Sequence, residues 1–306
     1  MADIILHHYD SSPFSEKVRL MLGLKGLAWK SVIQPVIMPK PDLVPLTGGY
    51  RRIPVMQIGA DVFLDSQVIL AEIERRAPEP KALLGPSFAV NLWADRLFFQ
   101  TTIPVLFGAF KEGQLDQAFI DDRTALSGRP FDMAALKQAA PLMRGQWRAQ
   151  CAWLEQALAT SGGDFLFGNA PSIGDFSAYM NFWFLGGAMP QEVDELTHGM
   201  PRVAAWRKRV AAIGHGKRTD STPAHALAAA KAAEPNITVP HDPNDPSGIK
   251  PGEAAMVMAD DYGREPIIGK LIAANEHRVI IARTDPALGN MAIHTPRMGY
   301  ILMRAG

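Results

Sequence analysis

At 306 residues the chain is long enough for roughly two or three domains, and 47% apolar with 20% charged residues is the make-up of a globular protein. Lys+Arg and Asp+Glu balance at 31 each, so no global field draws the chain to nucleic acid or to an anionic membrane. A single cysteine, Cys151, excludes an intrachain disulfide and fits a reducing, cytoplasmic setting, while no signal-peptide pattern opens the sequence and no apolar run approaches the ~18 residues of a membrane helix.

Residues 3–9 alternate Ile4, Leu6 and His8 against Ile5, His7 and Tyr9, which predicts a strand. Ser11-Ser12-Pro13-Phe14-Ser15 follows and leads into a helix over 15–24, with Val18, Met21 and Leu22 at helical spacing and Gly26 as its stop. Residues 29–37 read as a second strand, which Pro35 marks as an edge or irregular. The Pro- and Gly-rich stretch 39–49 reads as a loop. Residues 55–58 and 62–64 flank Gly59-Ala60-Asp61 as a hairpin, and a helix over 66–77 ends before Pro78. This order predicts a thioredoxin-like α/β domain over residues 1–78.

Residues 79–233 carry a helical pattern and predict an all-helical domain. Leu136, Ala140, Met143, Trp147, Cys151, Leu154 and Leu158 recur at alternating spacings of four and three, which places Cys151 on a buried stripe as an inert thiol. Trp183 and Trp206 are expected in the core as well. Ser172 and Asp175 form a capping box before an apolar helix, and Thr222-Pro223 an N-cap and first residue of an Ala-rich one. Residues 234–252 hold five prolines and read as a linker. Beyond it, 254–259, 267–273, 278–283, 291–294 and 300–303 are short strand-like runs, which predict a small all-β, closed or nearly closed barrel over 253–306.

Two segments concentrate the candidate chemistry. Tyr9 to Ser15 place hydroxyls at a helix N-terminus. Arg51-Arg52-Ile53-Pro54 followed by Asp65-Ser66 combine an extended strand start with an acid and a serine at a second helix N-terminus. Together they outline a site for a small anionic peptide. Taken with Ser172-Ile173-Gly174-Asp175 and Met200-Pro201-Arg202-Val203-Ala204-Ala205-Trp206, these motifs resemble those of cytosolic glutathione transferases over roughly residues 1–215. The resemblance implies glutathione as co-substrate and a homodimer. Ser12 would stand where the thiol-activating serine of serine-type members stands, Ile53-Pro54 at a cis-proline step, and Asp65-Ser66 on the γ-glutamyl group. It says nothing of residues 253–306.

A free thiol has a pKa of about 8.5. Lowering it by about two units takes roughly 2.7 kcal/mol of preference for the thiolate. A donated hydroxyl supplies ~1.5–3 kcal/mol and a helix N-terminus ~0.3–1. Ser12 can offer both, and its plain alternative is a helix N-cap. Ser11 competes for the catalytic role, with Tyr9 third. Ile53 would pair its backbone with the peptide, Ser66 would hold a carboxylate and Asp65 an ammonium. Pro54 would otherwise be an ordinary trans proline. Arg52 or Arg51 would reach the glycyl carboxylate, or else be solvated loop residues. Phe14, Phe107 and Phe110 are candidates for an apolar pocket. His7 and His8 face opposite sides of a strand and the other histidines lack ligand spacing, so no metal is expected. Arg19 reads as an ion-pair partner. The expected activity is transfer of the glutathione thiolate to a small hydrophobic electrophile. The other readings are a glutathione-dependent isomerase or lyase, and a non-catalytic binding or adaptor protein.

Overall fold

The computed structural model describes residues 2–306. The N-terminal part holds β1 (Ile5–His8), α1 (Pro13–Leu24), β2 (Ala28–Ile33), α2 (Val44–Thr47), β3 (Val55–Ile58), β4 (Asp61–Leu64) and α3 (Ser66–Arg76). β1 lies parallel to β2 and antiparallel to β3, and β3 turns into β4 at Gly59, whose φ of 61° suits a residue without Cβ. This is the expected thioredoxin-like plan. Two boundaries differ from expectation. β2 stops at Ile33 rather than reaching residue 37, and the 39–49 segment contains the single turn α2, with Pro45 in its first turn.

The helical part comprises α4 (Gly85–Trp93), a π-helical segment Ala94–Phe98, α5 (Phe99–Phe107), α6 (Gln117–Ser127), α7 (Met133–Thr160), α8 (Ile173–Ala188), α9 (Pro190–Leu196) and α10 (Pro201–Ala211). Trp147, Cys151, Leu154 and Leu158 line the buried face of α7 as the spacing predicts. The Asp175 carboxylate accepts from the Ser172 N–H and hydroxyl, from the Leu166 N–H and from the Trp206 indole, a structural role. Trp206 is fully buried, but Trp183 is only partly so. After α10 the pattern breaks. Residues Lys217–Asp220 form β5, parallel to β2, before α11 (Pro223–Lys231). β2 is therefore an interior strand and β5 the edge. All four β5 residues are exposed, so no apolar alternation announces the strand.

Residues 234–252 contain no helix or strand. They are nonetheless fastened: the Asn236 N–H donates to Asp61, and Ile249 is buried. The C-terminal strands β6 (Ala254–Ala259), β7 (Ile267–Ala274), β8 (Arg278–Asp285), β9 (Gly289–Pro296) and β10 (Tyr300–Arg304) fall where the turns and apolar runs place them. They form the expected all-β region after the helices, an extra sheet region whose strands do not close on one another. β9 pairs in parallel with β4, giving one ten-stranded sheet in the order β10-β6-β7-β8-β9-β4-β3-β1-β2-β5. The reason lies in the free edge of β4 and in what it offers. His294 of β9 hydrogen-bonds Asp61 at 2.7 Å and stacks on Phe63 at 4.3 Å. Arg278 of β8 meets Glu72 of α3 at 3.0 Å. Val55, Val62 and Leu64 share a core with Val257, Leu271, Ile281 and Ile293, so burial unites the two regions.

Candidate active site

A cavity of about 780 Å³ opens where the start of α1, the residues before β3 and the start of α3 face helices α5, α6 and α8. Proline at the start of α1 and the β-region backbone of Ser12 fix the helix entry, with Ser12 as N-cap. The Ser12 oxygen accepts from the Ser15 N–H at 3.2 Å and from the Ser15 hydroxyl at 2.9 Å. Both of these donors come from Ser15, while the Ser12 hydroxyl also bears on the neighbouring Tyr9 phenol. Ser12 is buried, whereas Ser11 is exposed at the same wall. Tyr9 also lines the cavity, and burial pushes its phenol up, so it stays protonated.

The Ile53–Pro54 peptide is cis, as the resemblance implies, and both residues line the cavity. Asp65 adopts φ 81°, caps α3 through the Gln67 N–H and accepts from the Tyr300 hydroxyl at 3.3 Å. Ser66 is buried as the first residue of α3. Neither Arg51 nor Arg52 is a solvated loop residue. Arg51 is paired with Asp122 of α6. Arg52 bonds Asp261 at 3.1 Å and lies 4.5 Å from the Tyr262 ring centre. Ser12, Pro54, Asp65, Ser66 and Arg52 are thus gathered on one side of one cavity.

Other lining residues escaped the sequence. Lys40 is buried, donates to the Arg51 carbonyl at 3.0 Å and lies over Tyr9. Burial and the nearby Arg123 and Arg51 lower its ammonium to about 8. Arg123 of α6 stacks on Phe119 at 4.8 Å. Tyr262, from the C-terminal region, closes part of the wall. Only the cation-rich run around Arg51 hinted at such a cluster. The opposite half is apolar. Phe14, Phe107 and Phe110 line it as expected, joined by Phe119, Phe131 and Trp183. Trp183 therefore packs against the core and also lines the cavity.

The remaining candidates are structural. Arg19 pairs with Glu16 at 2.7 Å and donates to the Asp10 carbonyl. Burial lowers His7 to about 4 and, aided by Arg19, His8 to about 3, so both are neutral partners of Gln57 and Ser31. Burial raises the Cys151 thiol well above its ordinary value. Among the described residues no three His, Cys, Asp or Glu side chains are grouped to hold a metal ion, and no helix is long and apolar enough to cross a membrane.

A thioredoxin-like domain, a cis-proline step and a helical domain facing it across a partly aromatic cavity define a glutathione-transferase-like protein. The family models for the glutathione S-transferase N-terminal and C-terminal domains match residues 6–81 and 114–209. A GST-like protein from Pseudomonas syringae is 35% identical, with a TM-score of 0.81 and 100% of both chains covered, so the likeness includes the C-terminal sheet region. A Tau class glutathione S-transferase from mango, Mangifera indica, is 15% identical over 69% of this chain and 89% of its own, with a TM-score of 0.54. A glutathione S-transferase from Rhodospirillum rubrum F11 is 20% identical over 68% and 87%, with a TM-score of 0.51. No curated protein matches the chain significantly. The chain belongs to the glutathione S-transferase family.

Proposed function

We propose that the protein binds glutathione and joins its sulfur to a small apolar electrophile. The observation that carries this reading is the convergence on one cavity of the Ser12 hydroxyl, the α3 N-terminus at Ser66 and a cationic rim, opposite an aromatic half. The glycyl carboxylate goes to Lys40, whose buried ammonium has a carbonyl as its hydrogen-bond acceptor. The γ-glutamyl ammonium goes to Asp65 and the γ-glutamyl carboxylate to Ser66, while Ile53 pairs with the peptide backbone. The thiol proton leaves to water, and Ser12 donates to the resulting thiolate. Its sulfur lone pair forms a bond to the electrophilic carbon. In a substitution the leaving group departs with its electron pair. In an addition the adjacent carbon takes a proton from water.

The domain limits 1–78, 79–233 and 253–306 belong to this proposal, with 253–306 joined to the first by its sheet. A reducing, cytoplasmic location fits the lone buried Cys151. A homodimer through the first two domains fits the exposed Phe88 and Leu97 on the helix leading from α4. Light scattering of the wild type and Leu97→Glu tests it: a monomeric wild type refutes the dimer.

Calorimetry with glutathione, on the wild type and Ser66→Ala, tests the binding. Weaker binding by Ser66→Ala supports it, and equal affinity or no binding to either sinks it. Turnover of a generic aryl halide with glutathione tests the transfer. Tight binding without turnover on any electrophile would identify a binding protein instead.

A further inference from the structure

The loop 260–266, between β6 and β7, crosses the seam between the first two domains. Asp260 pairs with Arg96 of the π-helical segment at 2.6 Å. Asp261 pairs with Arg52 at 3.1 Å. The Gly263 N–H donates to the Leu126 carbonyl of α6 at 2.8 Å. Gly263 has φ 56°, and a Cβ there would stand 3.0 Å from Leu126 and 3.3 Å from Arg52, so the close approach suits glycine. The loop is thus moored at three points around the cavity, with Tyr262 between them in its wall.

Arg52 is the group this loop orients. Its side chain is 10% exposed. The Nη1 end is taken by Asp261, and the guanidinium plane rests near Tyr262 and Tyr50. The other edge, Nε and Nη2, is buried and has no hydrogen-bond partner. That edge is the one whose two parallel N–H groups match a carboxylate. A buried guanidinium edge without an acceptor costs free energy unless a ligand supplies one. Arg52, Asp65, Ser66, Tyr262 and Tyr300 also enclose a smaller hollow of about 60 Å³ at the start of α3. Arg52 and Ser66 thus line the same hollow, whereas Arg51 is paired with Asp122 and Lys40 donates to the Arg51 carbonyl.

We propose that the C-terminal region builds part of the ligand site: Asp261 and Tyr262 position Arg52 to bind, bidentately, the γ-glutamyl carboxylate seated at the α3 N-terminus. This rests on glutathione being the ligand, and moves Arg52 from the glycyl to the γ-glutamyl end. Arg52 is a binding residue, and Asp261 and Tyr262 are positioning residues.

The test is calorimetry on the full chain with three tripeptides: glutathione, its γ-glutamyl α-carboxamide and its glycyl carboxamide. The wild type should prefer glutathione to the α-carboxamide by about tenfold or more, the range of a charge-assisted hydrogen bond. Arg52→Gln should lose that preference by binding glutathione more weakly while holding the α-carboxamide unchanged. Tyr262→Leu and Asp261→Asn should narrow the preference in the same way, and they keep the test open should Arg52→Gln not fold. Discrimination against the glycyl carboxamide should persist in all three variants. Equal weakening toward both carboxamides, no change, or loss confined to the glycyl carboxamide would overturn the proposal while leaving glutathione binding intact. A wild type that binds none of the tripeptides overturns the functional reading, and this inference with it.

Discussion

Ser12 caps α1 through its oxygen, and the proposed function gives its hydroxyl a second duty, donation to the thiolate. Ser12→Ala should raise the pKa of bound glutathione thiol by about one unit or more, since one charge-assisted hydrogen bond is worth ~1.5–3 kcal/mol. Loss of the cap should also cost about 1 kcal/mol of stability. Thiolate absorbance against pH checks the first and thermal unfolding the second, with Ser11→Ala and Tyr9→Phe as comparisons. A shift in Tyr9→Phe but not in Ser12→Ala would reassign the role. Lys40 offers a second titration. Held at about 8, it loses its charge as pH rises through that value, so affinity for S-methylglutathione should fall there. S-methylation removes the thiol from the titration, and Lys40→Met should abolish the fall. Ser12, Pro54, Asp65 and Ser66 were legible because each stands in a local motif at an element boundary. Lys40, Arg123 and Tyr262 were not, because their approach to the site depends on tertiary folding that no short spacing encodes.

At the scale of elements, the join between α3 and the C-terminal strands is electrostatic as well as apolar. Burial works to raise the Glu72 carboxyl, but its hydrogen bond to Arg75, the charge of Arg278 and the bond to Arg76 outweigh that and hold it at about 2. A carboxylate lowered on folding stabilises the protein above its ordinary value and loses that contribution as pH falls toward the folded one. Stability should therefore decline between about 4.5 and about 2, by an amount of order 3 kcal/mol from this group. Glu72→Gln should flatten that part of the denaturant-midpoint profile, and an unchanged acid limb would refute the assignment. The five C-terminal strands were legible from their apolar runs and turn residues, yet their union with β4 was not. Short strands between turns look alike whether a sheet closes or extends another, and parallel pairing with β4 leaves no mark in either sequence segment. β5 is silent in the sequence for a simpler reason, since its Lys-Arg-Thr-Asp run has no apolar face.

For the whole molecule, the shared core predicts one cooperative unfolding transition rather than a separate event for residues 253–306. Ending the chain at residue 252 would bare Val55, Val62 and Leu64 and strip β9 from the outer edge of β4, leaving an apolar sheet edge. Such a truncated chain should aggregate or melt well below the full-length protein in calorimetry. A soluble truncated chain with the full-length Tm would show that the first two domains are self-sufficient. The sheet also sets a timetable for folding. The bond from His294 to Asp61 spans 233 positions, so during synthesis the β4 edge must wait for most of the chain before β9 can cover it. In that interval the nascent chain carries a nearly finished domain with one raw strand, which makes the speed of translation and the presence of chaperones part of what determines its yield.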